Sequence, residues 1–169
     1  MIKVKSLIHL LKKNNCDFFT GVPDSVLKEL SITLQNKSKK KHIIATNEGS
    51  AVSLGIGQYL STKKMPCIYM QNSGLSNALN PLISIAHKRV YAIPLILVIG
   101  WRGSPRIKDE PQHNVKGEIT ENILKLLNIK YTILRSNNDL NKFDKQIKLA
   151  KKKSSIVACL IEQGTLTKI

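Results

Sequence analysis

The sequence predicts an α/β fold: a three-layer, doubly wound, mostly parallel sheet of six strands with helices on both faces. Periodicity is the first observation behind this. Short β-rich runs alternate with helical patterns from one end of the chain to the other, the signature of successive βαβ units with right-handed crossovers. Size is the second: 169 residues with 42% hydrophobic and 22% charged content suit one domain with a substantial core. Placement is the third. Three of the expected strands end in unusually polar or glycine-rich segments, and the carboxyl ends of such strands are where doubly wound sheets bind ligands.

The elements follow in order. A first helix is expected over residues 2–14, where Val4, Leu7, Ile8, Leu10 and Leu11 share one face. Strands are expected at residues 17–21, 42–46, 67–70, 94–99, 131–134 and 155–161. Between them, helices are expected at residues 25–35, 49–60, 75–87, 117–127 and 140–151. The remaining long segment, residues 100–116, has seventeen residues without apolar periodicity and is expected to be a loop. Loops of that length inside compact domains are usually functional or disordered, and lids and substrate loops have this character. No internal repeat or linker divides residues 1–169, so a single domain is expected.

Composition narrows the function classes. The formal charge of +16 would suit a polyanionic partner, but the excess is nearly all lysine and is spread along the chain. It concentrates only at residues 37–41 and 151–153, which read as a loop and a helix end. Aromatics interleaved with basic runs, which would stack on bases, are missing, so nucleic acid is not the expected partner. The longest apolar stretch, residues 92–99, is eight residues long and contains Pro94, far below the roughly 20 needed to span a bilayer. The N-terminal apolar segment is interrupted by His9 and runs into Lys12 and Lys13 without a small-residue cleavage site. A cytoplasmic protein without membrane contact is expected. Cys16, Cys67 and Cys159 lie far apart beside apolar residues, as small buried thiols of a reducing compartment do.

The three strand-end segments are Thr20-Gly21-Val22-Pro23-Asp24, Asn47-Glu48-Gly49-Ser50 and Gln71-Asn72-Ser73-Gly74. Glu48 ends an apolar strand and opens a helix of small residues, Gly49, Ser50, Ala51, Ser53, Gly55 and Gly57, which would let another surface approach closely. From the residues alone, a structural role is as natural: Asn47 caps the helix and Glu48 complements its dipole. Asp24 likewise reads as a helix cap or as a site acid. Gly74 allows close backbone approach where a helix begins. Neither GxGxxG nor a P-loop is present, which weakens a phosphate-binding reading, and no His/Cys cluster has metal-ligand spacing.

Taken together these segments carry a family resemblance. Thr20-Gly21-Val22-Pro23-Asp24-Ser25, Ala45-Thr46-Asn47-Glu48-Gly49, Tyr69-Met70-Gln71-Asn72-Ser73-Gly74-Leu75, Asn80-Pro81-Leu82, Gly100-Trp101-Arg102-Gly103 and Lys108-Asp109-Glu110-Pro111-Gln112-His113 occur in the order found in phosphonopyruvate decarboxylases. The sequence thus resembles that family over residues 18–164. Sulfopyruvate decarboxylase is similar but matches the last segment less well. The resemblance implies a thiamine-diphosphate-binding fold, of which this chain is the pyrimidine-binding domain. It implies that Glu48 hydrogen-bonds the 1′ nitrogen of the aminopyrimidine ring from a water-poor cleft, and that Asp24 handles protons in the later steps of a 2-oxo acid decarboxylation. It also implies that Pro23, Gln71, Asn72, Ser73 and Gly74 line the cofactor pocket. Gln112 and His113 become candidates for protonating the intermediate or binding the 2-oxo acid. Arg102 becomes a candidate partner for its carboxylate or phosphonate. Gln112, His113 and Arg102 read as well as ordinary polar loop residues.

Family members also carry a domain that holds the diphosphate through Mg²⁺ with a Gly-Asp-Gly motif, and nothing like it occurs in this sequence. The expectation is therefore a separately encoded subunit or a fragment. Activity would require a diphosphate-binding partner that holds the Mg²⁺, most simply in a heterotetramer of two copies of each chain, with the small residues at 49–57 forming part of the contact. The expected reaction converts 3-phosphonopyruvate to phosphonoacetaldehyde and carbon dioxide, a step suited to phosphonate biosynthesis. The alternatives are sulfopyruvate decarboxylation and a noncatalytic module of the same fold.

Overall fold

The computed structural model describes residues 1–36 and 41–168. Six strands form the main sheet: β2 (Phe19–Gly21), β3 (His42–Ile44), β4 (Cys67–Gln71), β5 (Ile96–Trp101), β6 (Lys130–Leu134) and β7 (Val157–Glu162). They lie in the order β3-β2-β4-β5-β7-β6, and every registered pair is parallel. The helices between them are α1 (Val4–Lys13), α2 (Lys28–Gln35), α3 (Glu48–Thr62), α4 (Leu75–Pro81), α5 (Pro111–Leu126) and α6 (Asn137–Lys153).

The sheet is buried on both sides, and strand alternation sorts its side chains into two cores. Cys67 and Tyr69 of β4 pack with Leu7, Leu30 and Phe143 of α1, α2 and α6. Ile68 and Met70 point the other way, toward Val52, Ala78 and Leu124 of α3, α4 and α5. β5 divides likewise, Ile96 and Val98 into the first core, Leu97, Ile99 and Trp101 into the second. Each fully buried side chain of this size contributes roughly 1.5–3 kcal/mol of transfer free energy. Cys16, Cys67 and Cys159 are all buried, and burial pushes the Cys159 thiol well above its ordinary pKa.

The chain leaves β2 outward to β3 and then crosses back over β2 to β4. That reversal is a topological switch point, which places the expected ligand crevice at the carboxyl ends of β2 and β4, flanked by the ends of β3 and β5. Four neighbouring strands span about 15 Å at ~4.8 Å spacing, so the segments that follow them lie side by side.

Three local differences from the sequence expectation bear on the site. The helix expected at residues 117–127 begins six residues earlier, at Pro111, so the last six of the seventeen residues expected as a loop are helical. Proline is favourable in a first turn because its φ is preset and its missing N–H is not needed there. The exposed residues of this turn give no apolar period to read. The helix expected to continue to residue 87 loses α-geometry after Pro81, and a π-helical turn, Leu82–Ala86, follows. Pro81 lacks the N–H for the regular ladder and crowds the carbonyl four residues back. The third difference is a two-residue parallel pair, β1 (Ile2–Lys3) with β8 (Leu166–Thr167), which ties the two ends of the chain together. Of the basic run at residues 37–41, only Lys41 lies within the described residues, paired with Asp17 at 2.6 Å. The run at 151–153 ends α6, as expected. No helix among the described residues is long and apolar enough to cross a membrane.

Gly21 closes β2 against Tyr69, whose hydroxyl shares a buried 2.8 Å hydrogen bond with His42. A Cβ at position 21 would lie 2.0 Å from the Tyr69 carbonyl oxygen and 2.7 Å from its ring. Gly21→Ala is expected to destabilise the chain by about 2–4 kcal/mol, read as a lower urea midpoint at unchanged m-value. A loss below about 0.5 kcal/mol would contradict this packing.

Candidate active site

Glu48 is the first residue of α3. Asn47 caps the helix, its side-chain oxygen accepting the Ser50 N–H at 2.9 Å. The cap is therefore supplied without Glu48, and the Glu48 side chain turns toward the segment that follows β4. One carboxylate oxygen accepts Asn77 Nδ2–H at 2.8 Å. The other faces Gly74, where an added Cβ would stand 2.3 Å from Glu48 Cγ and 2.5 Å from Oε1. Glycine at 74 is what lets the carboxylate lie against the turn. In this chain Glu48 is only half-buried. The described residues of this chain do not by themselves close the water-poor cleft expected around Glu48.

Asp24 follows β2, and both readings of it hold at once. Oδ1 accepts the backbone N–H groups of Val26 and Leu27 at 2.7 and 3.1 Å, fixing the turn into α2. Oδ2 is buried without a hydrogen-bond partner. Burial raises its pKa above the ordinary carboxylate value, against the lowering effect of those two N–H bonds and of Arg102. Gly100 on β5 makes room, since a Cβ there would lie 2.9 Å from Asp24 Oδ1. A buried carboxylate with one oxygen unspent in a crevice is suited to taking up or releasing a proton. Tyr69 lies in the same region, its phenol pushed up to about 12 chiefly by burial, with Cys67 and Asp24 adding to it.

The other predicted residues divide. Gln71 and Ser73 are half-buried at the crevice, and Pro23 is exposed on the turn before Asp24. Asn72 is buried and its side chain is spent on the fold: Nδ2 donates to the Arg102 carbonyl and Thr120 Oγ1, and Oδ1 accepts the Arg102 N–H. Arg102 is engaged bidentately by Asp109, with both N–H···O distances 2.6 Å, and its remaining amino group reaches Ser25 Oγ at 3.4 Å. That guanidinium holds the Asp109 carboxyl well below its usual range. Gln112 and His113 sit in the first turn of α5 rather than on a loop, Gln112 exposed and His113 half-buried with Nδ1 unpartnered. Gly103, at φ +66°, lets this turn pack on the end of β5: a Cβ at 103 would lie 1.8 Å from the His113 carbonyl oxygen. Trp101 Nε1–H donates to the Gly117 carbonyl at 3.0 Å and fixes α5 from the inside.

Sequence reasoning missed Asn77 and Asp109 as working partners. Asn77 stands three residues after Gly74 on α4, a spacing that shares a helix face and was available as a signal. The Asp109 pairing carries none, since only the fold brings residues 102 and 109 together.

A titration separates the two roles of Asp24. Its folded pKa is raised, so the stability it contributes is full below the unfolded value near 3.9 and is lost as pH climbs through the folded pKa. Asp24→Asn keeps the Oδ1 acceptor and removes the buried charge. It is expected to be more stable than wild type at pH 7, with the gain vanishing as pH falls through the carboxylate range. Asp24→Ala loses the acceptor and about 1 kcal/mol with it. Parallel stability–pH curves for wild type and Asp24→Asn would contradict the assignment.

Comparison with known proteins identifies the family and the fold. Residues 3–126 match the model of the thiamine pyrophosphate enzyme N-terminal TPP-binding domain, TPP being the cofactor also called thiamine diphosphate. The chain is 35% identical over 119 residues to phosphonopyruvate decarboxylase of Streptomyces viridochromogenes, covering 70% of this chain and 29% of that protein. It is 34% identical over 115 residues to sulfopyruvate decarboxylase subunit alpha of Methanococcus maripaludis, covering 68% of this chain and 66% of that subunit. The chain thus spans less than a third of the first relative and about two thirds of the second. Among solved structures, benzoylformate decarboxylase from Polynucleobacter necessarius superposes with a TM-score of 0.72 at 19% identity, over 94% of this chain and 29% of that one, a likeness of fold. The chain belongs to the thiamine pyrophosphate enzymes, as a member of their N-terminal TPP-binding domain family.

Proposed function

We propose that this chain is the pyrimidine-binding part of a thiamine-diphosphate-dependent 2-oxo acid decarboxylase, with 3-phosphonopyruvate as substrate and phosphonoacetaldehyde and carbon dioxide as products. The observation that carries the reading is the Glu48 carboxylate, laid against the bare Cα of Gly74 and steadied by Asn77 at the crevice. That arrangement fits an aminopyrimidine. A carboxylate fixed in place offers an oxygen to a ring nitrogen and can share a proton with it, provided water is kept away.

The cofactor, when bound, supplies the electron sink that decarboxylation of a 2-oxo acid requires. The chain's own residues bind, orient and move protons. Glu48 would hold the pyrimidine ring nitrogen, with Gln71, Ser73, Gly74 and Pro23 around it. Asn72 supports the pocket from behind by holding the ends of β4 and β5 together. Asp24 would exchange a proton at Oδ2, the oxygen not engaged by the turn. His113 and Gln112 would face the 2-oxo acid from the start of α5. Arg102 would meet its anionic end, with Asp109 setting the direction of the guanidinium fork.

The half-open setting of Glu48 supports a partner surface, and so does the groove beside it. A groove of about 970 Å³ runs between α3 and α4, lined by Gly49, Ser50, Ser53 and Gly57 on one side and Asn77 and Ser84 on the other. A Cβ at Gly57 would touch nothing within 4 Å, so nothing inside the chain requires glycine there. Glycine in a helix interior costs about 1 kcal/mol relative to alanine. We assign the groove to a diphosphate-binding subunit carrying the Gly-Asp-Gly motif and the Mg²⁺, in a heterotetramer. The name subunit alpha borne by the Methanococcus relative supports a two-chain enzyme and keeps sulfopyruvate as the second candidate substrate. Phosphonate biosynthesis in the cytoplasm is the setting that the first substrate suggests.

Two outcomes check this reading. With a Gly-Asp-Gly-bearing partner and thiamine diphosphate, Glu48→Gln is expected to lower decarboxylation of phosphonopyruvate or sulfopyruvate by about 10²–10⁴-fold without lowering the melting temperature. Equal turnover by wild type and variant would contradict it. Gly57→Trp is expected to leave the isolated chain folded and to abolish co-elution with the partner. Intact co-elution would place the interface elsewhere.

A further inference from the structure

At the opposite end of the sheet from the crevice, the amino ends of β6 and β7, the end of α6 and the segments that lead into β5, β6 and β7 line a second cavity of about 520 Å³. Its floor is core: Leu127, Ile129, Ala150 and Ile156 are buried, and Val157 begins β7. Its wall includes Leu126 and Leu149, which are 85% and 47% exposed, an unusual position for two leucines in a chain that buries most of its large apolar residues. Its rim carries Lys88, Arg89, Lys130 and Lys153, with His87 beside them.

Not one of the eleven acidic side chains of the sequence lines this cavity. Among the described residues, none of Lys88, Arg89, Lys130 and Lys153 enters an ion pair; the five pairs present lie elsewhere. Compensation of a helix dipole accounts for Lys153 in the last turn of α6, but not for Lys130, which stands on a strand. Four like charges around one mouth repel each other, and an anion would turn that repulsion into attraction. His87, Lys88 and Arg89 follow directly on the π-helical turn Leu82–Ala86.

We propose that this cavity binds an amphipathic organic phosphate, its apolar or ring-shaped body on Leu126, Ile129, Leu149 and Ile156 and its phosphate among Lys88, Arg89, Lys130 and Lys153. The volume lies within the roughly 300–1,000 Å³ of small-molecule sites. Guanidinium and ammonium groups are the usual receptors of phosphate oxygens. A nucleic acid would call for aromatic platforms along a track, and the lining holds no Phe, Tyr or Trp. The site is separate from the proposed cofactor crevice. α5 connects the two, with Gln112 and His113 in its first turn and Leu126 at its end, about 24 Å along a helix of 16 residues.

The test uses the full chain at about 150 mM salt, with adenosine 5′-monophosphate and hexyl phosphate as probes and inorganic phosphate and adenosine as controls. Calorimetry is expected to give a Kd below about 1 mM for at least one probe, and about tenfold weaker binding for each control. The methyl resonances of Leu126 and Leu149 are expected to shift on titration. Arg89→Glu with Lys130→Glu, and independently Leu126→Asp at its exposed position, should each weaken the probe by about tenfold or more. Lys5→Glu with Lys12→Glu, an equal charge change on α1, should leave it within about twofold. Four results overturn the proposal: no saturable binding of either probe; equal weakening by the α1 reversals; inorganic phosphate binding as tightly as the probes; or binding that shifts the crevice while leaving the Leu126 and Leu149 methyls in place.

Discussion

The contact of the Glu48 carboxylate with the bare Cα of Gly74 is the constraint around which the crevice is arranged. It requires three things at once. Asn47 must cap α3 so that the glutamate beside it is released from that duty. The parallel order β3-β2-β4 must bring the end of β3 within reach of the turn after β4. Position 74 must lack a side chain, because any Cβ would overlap the carboxylate. Asn77 then fixes the orientation. A glutamate that merely served a helix dipole would need none of these.

The two acids of the crevice sit in different surroundings, and the difference follows from their strands. Asp24 lies in the turn after β2, which sits between β3 and β4, and its second oxygen is buried without a partner. Glu48 opens α3 after the edge strand β3 and stays half-open beside the α3–α4 groove. One acid is desolvated by the chain itself; the other keeps part of its surface open to solvent. Under the proposed function, this division assigns the covering of Glu48 to the partner surface that the α3–α4 groove would receive.

Much of this was legible in the sequence because it rests on short-range signals. Alternating β-rich and helical runs gave the doubly wound sheet, and the three polar strand ends lie together at its carboxyl edge. Asn47 and Asp24 were readable as caps from residue type alone. What was not legible depends on contacts between distant segments. The bidentate pairing of Arg102 with Asp109, and the use of Asn72 to tie β4 to β5, arise only once the sheet assembles. The early start of α5 at Pro111 was hidden because its first turn is mostly exposed and shows no apolar stripe. The half-open state of Glu48 was hidden for a further reason: the sequence of one chain does not show how much of its site a second chain would cover.

The most direct measurement is a crystal structure of this chain with the proposed diphosphate-binding partner and thiamine diphosphate. The account predicts a Glu48 carboxylate oxygen about 2.7 Å from the pyrimidine 1′ nitrogen, shielded from water by the partner's surface against the α3–α4 groove. A pyrimidine ring bound away from Glu48, with that side chain still turned to solvent in the complex, would contradict it.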